Sequence, residues 1–150
     1  MHKSLTMGRV LAIDYGRKRT GLAVSDPQRI IATALQTVPS HQLIQFLNNY
    51  TLSQQVDCIV IGEPKQMNNT PSEAVVYIEP FIKQLKKNFP DIPVVRVDER
   101  FTSLIATQAI AQAGLRRKQR RDKTLVDQVS AVLILQSYLE MMQNKKIAEK

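Results

Sequence analysis

Acidic residues close the apolar runs of this chain. Val10-Leu11-Ala12-Ile13 leads into Asp14, Ile59-Val60-Ile61-Gly62 into Glu63, and Val94-Val95-Arg96-Val97 into Asp98-Glu99. Asp127 stands at the start of a later helical pattern. Carboxylates gathered at strand ends form a hard oxygen donor set, which suits Mg²⁺ or Mn²⁺, and Mg²⁺ is commonly held by a few carboxylates plus substrate phosphates. Cations in such a cluster would orient water for in-line attack at phosphorus and neutralise charge on the leaving oxygen. No Ser, Cys or His nucleophile is needed. His2 and His41 have no partner suggesting a triad, and Cys58 lies inside an apolar run, where a thiol behaves as a small buried hydrophobe.

The rest of the charge points the same way. The 150 residues carry a formal net charge of +8, which favours a polyanionic partner. Arg17, Lys18 and Arg19 follow directly on Asp14, and Arg100 follows Asp98-Glu99. Arg116, Arg117, Lys118, Arg120, Arg121 and Lys123 lie just before Asp127. Basic runs beside candidate metal ligands are what a nucleic-acid phosphate would need, although a solvated charged loop gives the same pattern. The N-terminus has no secretory pattern and no apolar stretch reaches membrane-spanning length, so the expected compartment is the cytoplasm.

Positioning these acids requires strands. The pattern predicts strands over 9–14, 20–25 and 30–38, joined by turns at Gly16–Arg19 and Asp26–Arg29. Ser40 is read as the cap of a helix whose apolar side is Leu43, Ile44, Phe46, Leu47 and Tyr50. A buried strand over 57–62 and a helix over about 71–88 follow, with Thr70 as its cap and Pro80 expected to kink or split it. Then come a strand over 94–97, a helix from Thr102 or Ser103 to Ala113, and a last helix over about 124–142. Residues 1–7 and 143–150 are expected to be frayed. The expected whole is one α/β domain over 1–150 with a five-stranded mixed sheet, three strands antiparallel and two joined in parallel through helical crossovers.

If the first and fourth strands are parallel neighbours, Asp14 and Glu63 end side by side. Glu99 would reach in from one strand further out, and Asp127 from the last helix. Bland readings stand beside each role. Asp14 can accept backbone donors of the following turn, and Asp127 fits a capping-box spacing with Thr124. Asp98-Glu99 can pair with Arg96 and Arg100, and Glu63 can be an ordinary loop acid.

Four segments then carry a resemblance: Ile13-Asp14-Tyr15-Gly16-Arg17-Lys18-Arg19-Thr20-Gly21, Ile61-Gly62-Glu63-Pro64, Asp98-Glu99-Arg100-Phe101-Thr102-Ser103 and Asp127-Gln128-Val129-Ser130-Ala131. In this order they resemble the YqgF family of Holliday-junction-resolvase-like proteins, also described as pre-16S ribosomal RNA nucleases. The resemblance implies a ribonuclease-H-like fold and an Mg²⁺ or Mn²⁺ site on Asp14, Glu99 and Asp127. It implies maturation of the 5′ end of pre-16S rRNA during ribosome biogenesis, with branched-DNA resolution as the older suggestion. The family commonly has Gly-Leu-Pro where this chain has Gly62-Glu63-Pro64, so Glu63 is an additional or substitute ligand candidate. Two rival functions remain. A nucleic-acid-binding ribosome-assembly factor would keep the fold without turnover. Asp14-Tyr15-Gly16 with Thr20-Gly21 also resembles a phosphate loop of sugar-kinase and actin-like ATPases, which need two related domains.

Overall fold

The apolar runs become neighbouring strands. The computed structural model describes residues 8–63, 75–98 and 123–148. Its elements are β1 (Arg9–Asp14), β2 (Arg19–Ser25), β3 (Ala32–Pro39), a short 3-10 turn (Ser40–Gln42) and α1 (Leu43–Ser53). They continue with β4 (Val56–Glu63), α2 (Val75–Asn88), β5 (Val94–Asp98) and α3 (Lys123–Ala148), numbered within the described residues. The sheet order is β3-β2-β1-β4-β5. β1 is antiparallel to β2, β2 is antiparallel to β3, and β1, β4 and β5 run parallel.

Both faces of this sheet are covered, which is why β1 and β4 read as unbroken apolar runs rather than alternating ones. Leu11, Ile13, Ile59 and Ile61 pack with Leu43 and Leu47 of α1 and with Ile78, Phe81, Ile82 and Leu85 of α2. Val10, Ala12, Ala23, Cys58 and Val60 pack on the other face with Ala131, Ile134, Leu135 and Leu139 of α3. Those four α3 residues recur at helical spacing and form its sheet-facing stripe. Alanines on both sides of that second core let the helix lie close on the strands. The Cys58 thiol is buried there, 3.7 Å from the Tyr138 hydroxyl, and burial pushes it up from its ordinary value. That environment suits a packing residue, as its apolar neighbours suggest. Among the described residues, no helix is long and apolar enough to cross a membrane.

The structure departs from the local reading at four places. β3 starts at Ala32 rather than residue 30, and Ile30 and Ile31 are exposed. The Asp26 carboxylate takes their backbone N–H groups, each at 2.7 Å, and wraps the loop away from the ladder. Those same hydrogen bonds, led by the one from Ile31, hold its carboxyl below the usual value. Pro80 does not split α2, which runs unbroken from Val75 to Asn88 with the proline on its exposed side. There the missing N–H removes one backbone bond where water can serve the orphaned carbonyl. α3 continues to Ala148, so residues 143–148 are helical rather than frayed. No Gly or Pro stands there to stop it. Ser40 is the fourth departure, since no side-chain cap bond is made at the start of either the 3-10 turn or α1. The expected cap at Thr70, the helix ending at Ala113 and residues 1–7 lie outside the described residues.

Candidate active site

Asp14 ends β1, the central strand of the covered sheet, and is half-buried. Val10 and Ala12 face α3 while Leu11 and Ile13 face α1 and α2, so strand alternation gives Asp14 the parity of the α3 face. Its ladder partner across β2 is Gly21. On the other side Ile13 pairs with Ile61, so one step further brings Asp14 level with Gly62. Glycine therefore stands on both flanks of this carboxylate, and neither contributes a side chain to crowd it.

Gly21 does a second job. A Cβ at that position would fall on the main-chain carbonyl of Asp127 and lie 2.9 Å from the Asp127 Cβ. α3 is thus seated on β2 directly beside the Asp14–Gly21 pair. Gln128 Nε2 donates to Thr37 Oγ1 at 3.2 Å and ties the next residue of α3 to β3, where Thr37 is the other ladder partner of Gly21. Asp127 itself is a residue of the helix body rather than of the first turn. Two carboxylates more than a hundred residues apart in sequence are thus brought against the same pair of strands.

The turn after Asp14 is held rigidly. Tyr15 stacks on Phe81 of α2 with ring centroids 4.3 Å apart. The Arg17 guanidinium lies 4.7 Å from the centre of the Tyr77 ring, a cation–π contact that keeps its charge at the surface. Gly16 is required because a Cβ there would fall on the Arg19 carbonyl. Ser40 closes the turn from the far side. Its hydroxyl donates to the Gly16 carbonyl at 2.5 Å and shares a hydrogen bond with Thr20 Oγ1 at 2.8 Å, while its N–H donates to the Lys18 carbonyl at 3.0 Å. The residue expected to cap a helix instead fastens the basic turn. Ser40→Ala would strip the buried Thr20 hydroxyl of this partner, and is expected to destabilise the fold by about 1–3 kcal/mol. Urea denaturation checks this, and an unchanged midpoint would mean the contact adds nothing.

The resulting groove, about 280 Å³, is lined by Gly16, Arg17, Lys18, Arg19 and Asp127. Arg17 and Lys18 are exposed, whereas Arg19 Nε donates to Asp127 Oδ2 at 2.5 Å. A separate hollow between the β2–β3 turn and the later turns of α3, lined by Arg29, Ile30, Tyr138, Leu139 and Met142, collects no acid. It lies at the other end of the sheet, away from Asp14 and Asp127.

Glu63 ends β4 in register with Asp98 of β5. Position 63 continues the parity of Ile59 and Ile61, and position 98 that of Val94 and Arg96. That parity belongs to the α1/α2 face, where Arg96 makes a two-point pair with Glu79 at 2.7 and 2.8 Å. Glu99, Arg100, Arg116, Arg117, Lys118, Arg120 and Arg121 lie outside the described residues, while Lys123 begins α3. Among the described residues no three acidic, histidine or cysteine side chains gather closely enough to hold an ion. What this part of the structure brings together is the Asp14 and Asp127 pair. The residues that local reading missed are Gly21, Gly62 and Ser40. The first two stood in the motif segments as glycines near a strand end, a signal that also marks many turns.

Comparison with known proteins fits this geometry. Residues 8–141 match the family model RuvX, described as Holliday junction resolvase. A protein of Bacteroides fragilis is 58% identical over 134 residues, covering 89% of this chain and 97% of its own length. One from Porphyromonas gingivalis is 56% identical over 134 residues, with the same coverage of both chains. One from Flavobacterium johnsoniae is 51% identical over 133 residues, covering 89% of this chain and 96% of its own. All three carry the name "Putative pre-16S rRNA nuclease". Among solved structures, Thermus thermophilus RuvC in complex with a Holliday junction substrate aligns with a TM-score of 0.55 at 15% identity. It covers 89% of this chain and 96% of that one, a likeness of fold that makes the sheet ribonuclease-H-like.

Proposed function

The chain belongs to the RuvX family, the one its motifs resemble under the name YqgF, and from that premise we propose that it is a divalent-cation-dependent endonuclease maturing the 5′ end of pre-16S rRNA. The observation that carries the reading is the seating of Asp127 on Gly21, beside Asp14 and on the same face of the sheet. In this reading residues 1–150 act as one nuclease domain in the cytoplasm, in the setting of ribosome assembly.

The residues fit an Mg²⁺ or Mn²⁺ ion on chemical grounds. Carboxylate oxygens are the donors such hard cations take, and the ladder neighbours of Asp14 are glycines that add no side chain of their own. Asp14 and Asp127 would hold the ion together with Glu99, with Glu63 as a contributor. When bound, the cation supplies charge neutralisation at the scissile phosphate and lowers the pKa of attacking water. The chain's own residues do the rest. Arg17, Lys18 and Arg19 border the groove and would track the phosphate backbone, fixing its register without reading base sequence. Arg100, Arg116, Arg117, Lys118, Arg120, Arg121 and Lys123 would extend that positive track. The rigid turn fastened by Ser40 and Tyr15 keeps the first of these contacts beside Asp14.

The motif resemblance supports Glu99 over Glu63 as the third ligand. Asp98, in register with position 63, has the parity of the face opposite Asp14 and so is not the acid of that segment proposed here. Glu99→Gln is expected to lower cleavage by about 100-fold or more, on the scale of lost electrostatic stabilisation in other active sites, and Glu63→Gln by only a few-fold. A dead Glu63 variant beside an active Glu99 variant would reverse the assignment.

The deciding experiment incubates purified protein with 5′-extended pre-16S RNA and, separately, with a four-way DNA junction. Each is run with Mg²⁺, with Mn²⁺ and with chelator. Metal-dependent trimming of the RNA is the expected result. The family's description makes junction cleavage the second reading, and tight binding of either substrate without turnover would leave a non-catalytic assembly factor.

A further inference from the structure

Arg19 occupies an awkward place for a simple phosphate-binding residue. It closes the basic turn, borders the groove with Arg17 and Lys18, and yet spends its Nε on Asp127 Oδ2. Its side chain is 37% exposed and that of Asp127 is 20% exposed, so the pair sits at the groove wall rather than in the core. A guanidinium on a carboxylate oxygen competes with a divalent cation for the same negative charge. It also has further N–H donors in a planar fork, a shape that matches a phosphodiester better than it matches one carboxylate oxygen.

We infer that Arg19 is a positioning residue that couples phosphate binding in the Gly16–Arg19 groove to cation binding at Asp127. With the groove empty of anion, Arg19 neutralises Asp127 and weakens its hold on a cation. With a phosphodiester in the groove, the guanidinium turns to the phosphate and releases the carboxylate charge. The cation then binds best once nucleic acid is in place, and by linkage nucleic acid binds more tightly once the cation is in place. This rests on the reading of Asp14 and Asp127 as cation ligands. Ser40 and Gly16 hold the backbone of the turn, so the exchange needs only side-chain rotation of Arg19.

The test reads Mn²⁺ affinity directly, by electron paramagnetic resonance of free Mn²⁺, without any cleavage step. Sulfate serves as the phosphate mimic, compared with chloride at equal ionic strength, and protein-free titrations correct for Mn²⁺–sulfate pairing. In chloride, Arg19→Gln is expected to bind Mn²⁺ about fivefold more tightly than the unaltered protein, at the lower end of ordinary coupling between sites. Sulfate should tighten Mn²⁺ binding to the unaltered protein and leave Arg19→Gln unchanged. Arg19→Lys, which keeps the charge, should stay near the unaltered protein and still respond to sulfate; it carries the sulfate test if the Gln variant does not fold. Equal or weaker Mn²⁺ binding by a folded Arg19→Gln, or a lack of sulfate response in the unaltered protein, overturns the coupling. Asp14→Asn and Asp127→Asn separate the two levels of the argument. If neither weakens Mn²⁺ binding, the cation-site reading itself fails; if both do while Arg19→Gln changes nothing, only the coupling fails.

Discussion

Asp14→Asn is expected to abolish divalent-ion-dependent cleavage while leaving the fold intact. The substitution keeps the side-chain shape and removes the negative charge at a strand end flanked by glycine on both sides. A carboxylate that helps hold a catalytic cation contributes several kcal/mol to the transition state. The loss should therefore be on the order of 10³-fold or more, since each 1.36 kcal/mol is tenfold in rate. Stability should barely move, because Asp14 is only half-buried and Asn can still accept hydrogen bonds from the following turn. Cleavage rate, thermal melting and Mn²⁺ affinity should be measured on the same preparation. A variant that melts like the parent and cleaves at the parent rate would remove Asp14 from the mechanism.

Gly21→Ala should damage both stability and activity, through a methyl group that touches neither substrate nor cation. The added Cβ would fall on the Asp127 carbonyl and crowd its Cβ. Gly21 is held in the ladder by Asp14 on one side and Thr37 on the other, so α3 must yield rather than β2. Overpacking of this kind costs about 1–3 kcal/mol, which for a chain of this size lowers the melting temperature by roughly 2–12 °C. Activity should fall further, by about 10²-fold, because a displacement near 1 Å is enough to spoil a reacting geometry. The sign makes the test sharp. Glycine inside a strand ordinarily weakens it, so without the α3 contact alanine would be neutral or stabilising. A Gly21→Ala protein that melts higher and cleaves normally would mean that α3 is not seated there.

The apolar runs behind Asp14, Glu63 and Asp98 marked β1, β4 and β5, because a strand covered on both faces leaves a short continuous apolar stretch. The turns at Gly16 and Asp26 marked the antiparallel start, and the helical stretches between later strands required parallel crossovers. These allowed the first and fourth strands to be parallel neighbours, and the observed order β3-β2-β1-β4-β5 makes them so and puts Asp14 at the end of a central strand. The ordered motifs added the family, which the match over residues 8–141 bears out, and drew attention to the Asp127 segment.

Ser40 shows where local pattern stops. Ser before an amphipathic helix is a cap by every short-range rule, yet its hydroxyl is used by Gly16 and Thr20, some twenty residues earlier. Ile30 and Ile31 look like strand residues, but Asp26 takes their N–H groups first. Gly21 reads as an ordinary strand residue until α3 is packed on it, and Arg19 reads as one more cation of the basic turn until Asp127 arrives from 108 positions away. Each of these contacts is made between groups that are distant in the chain and reach each other only after the strands pair and α3 docks. Periodicity and breaker residues therefore determine which elements form and where the acids fall along them. Side-chain choices among competing partners, including which cation Asp127 holds, are decided only by the tertiary packing that brings those partners within hydrogen-bonding distance.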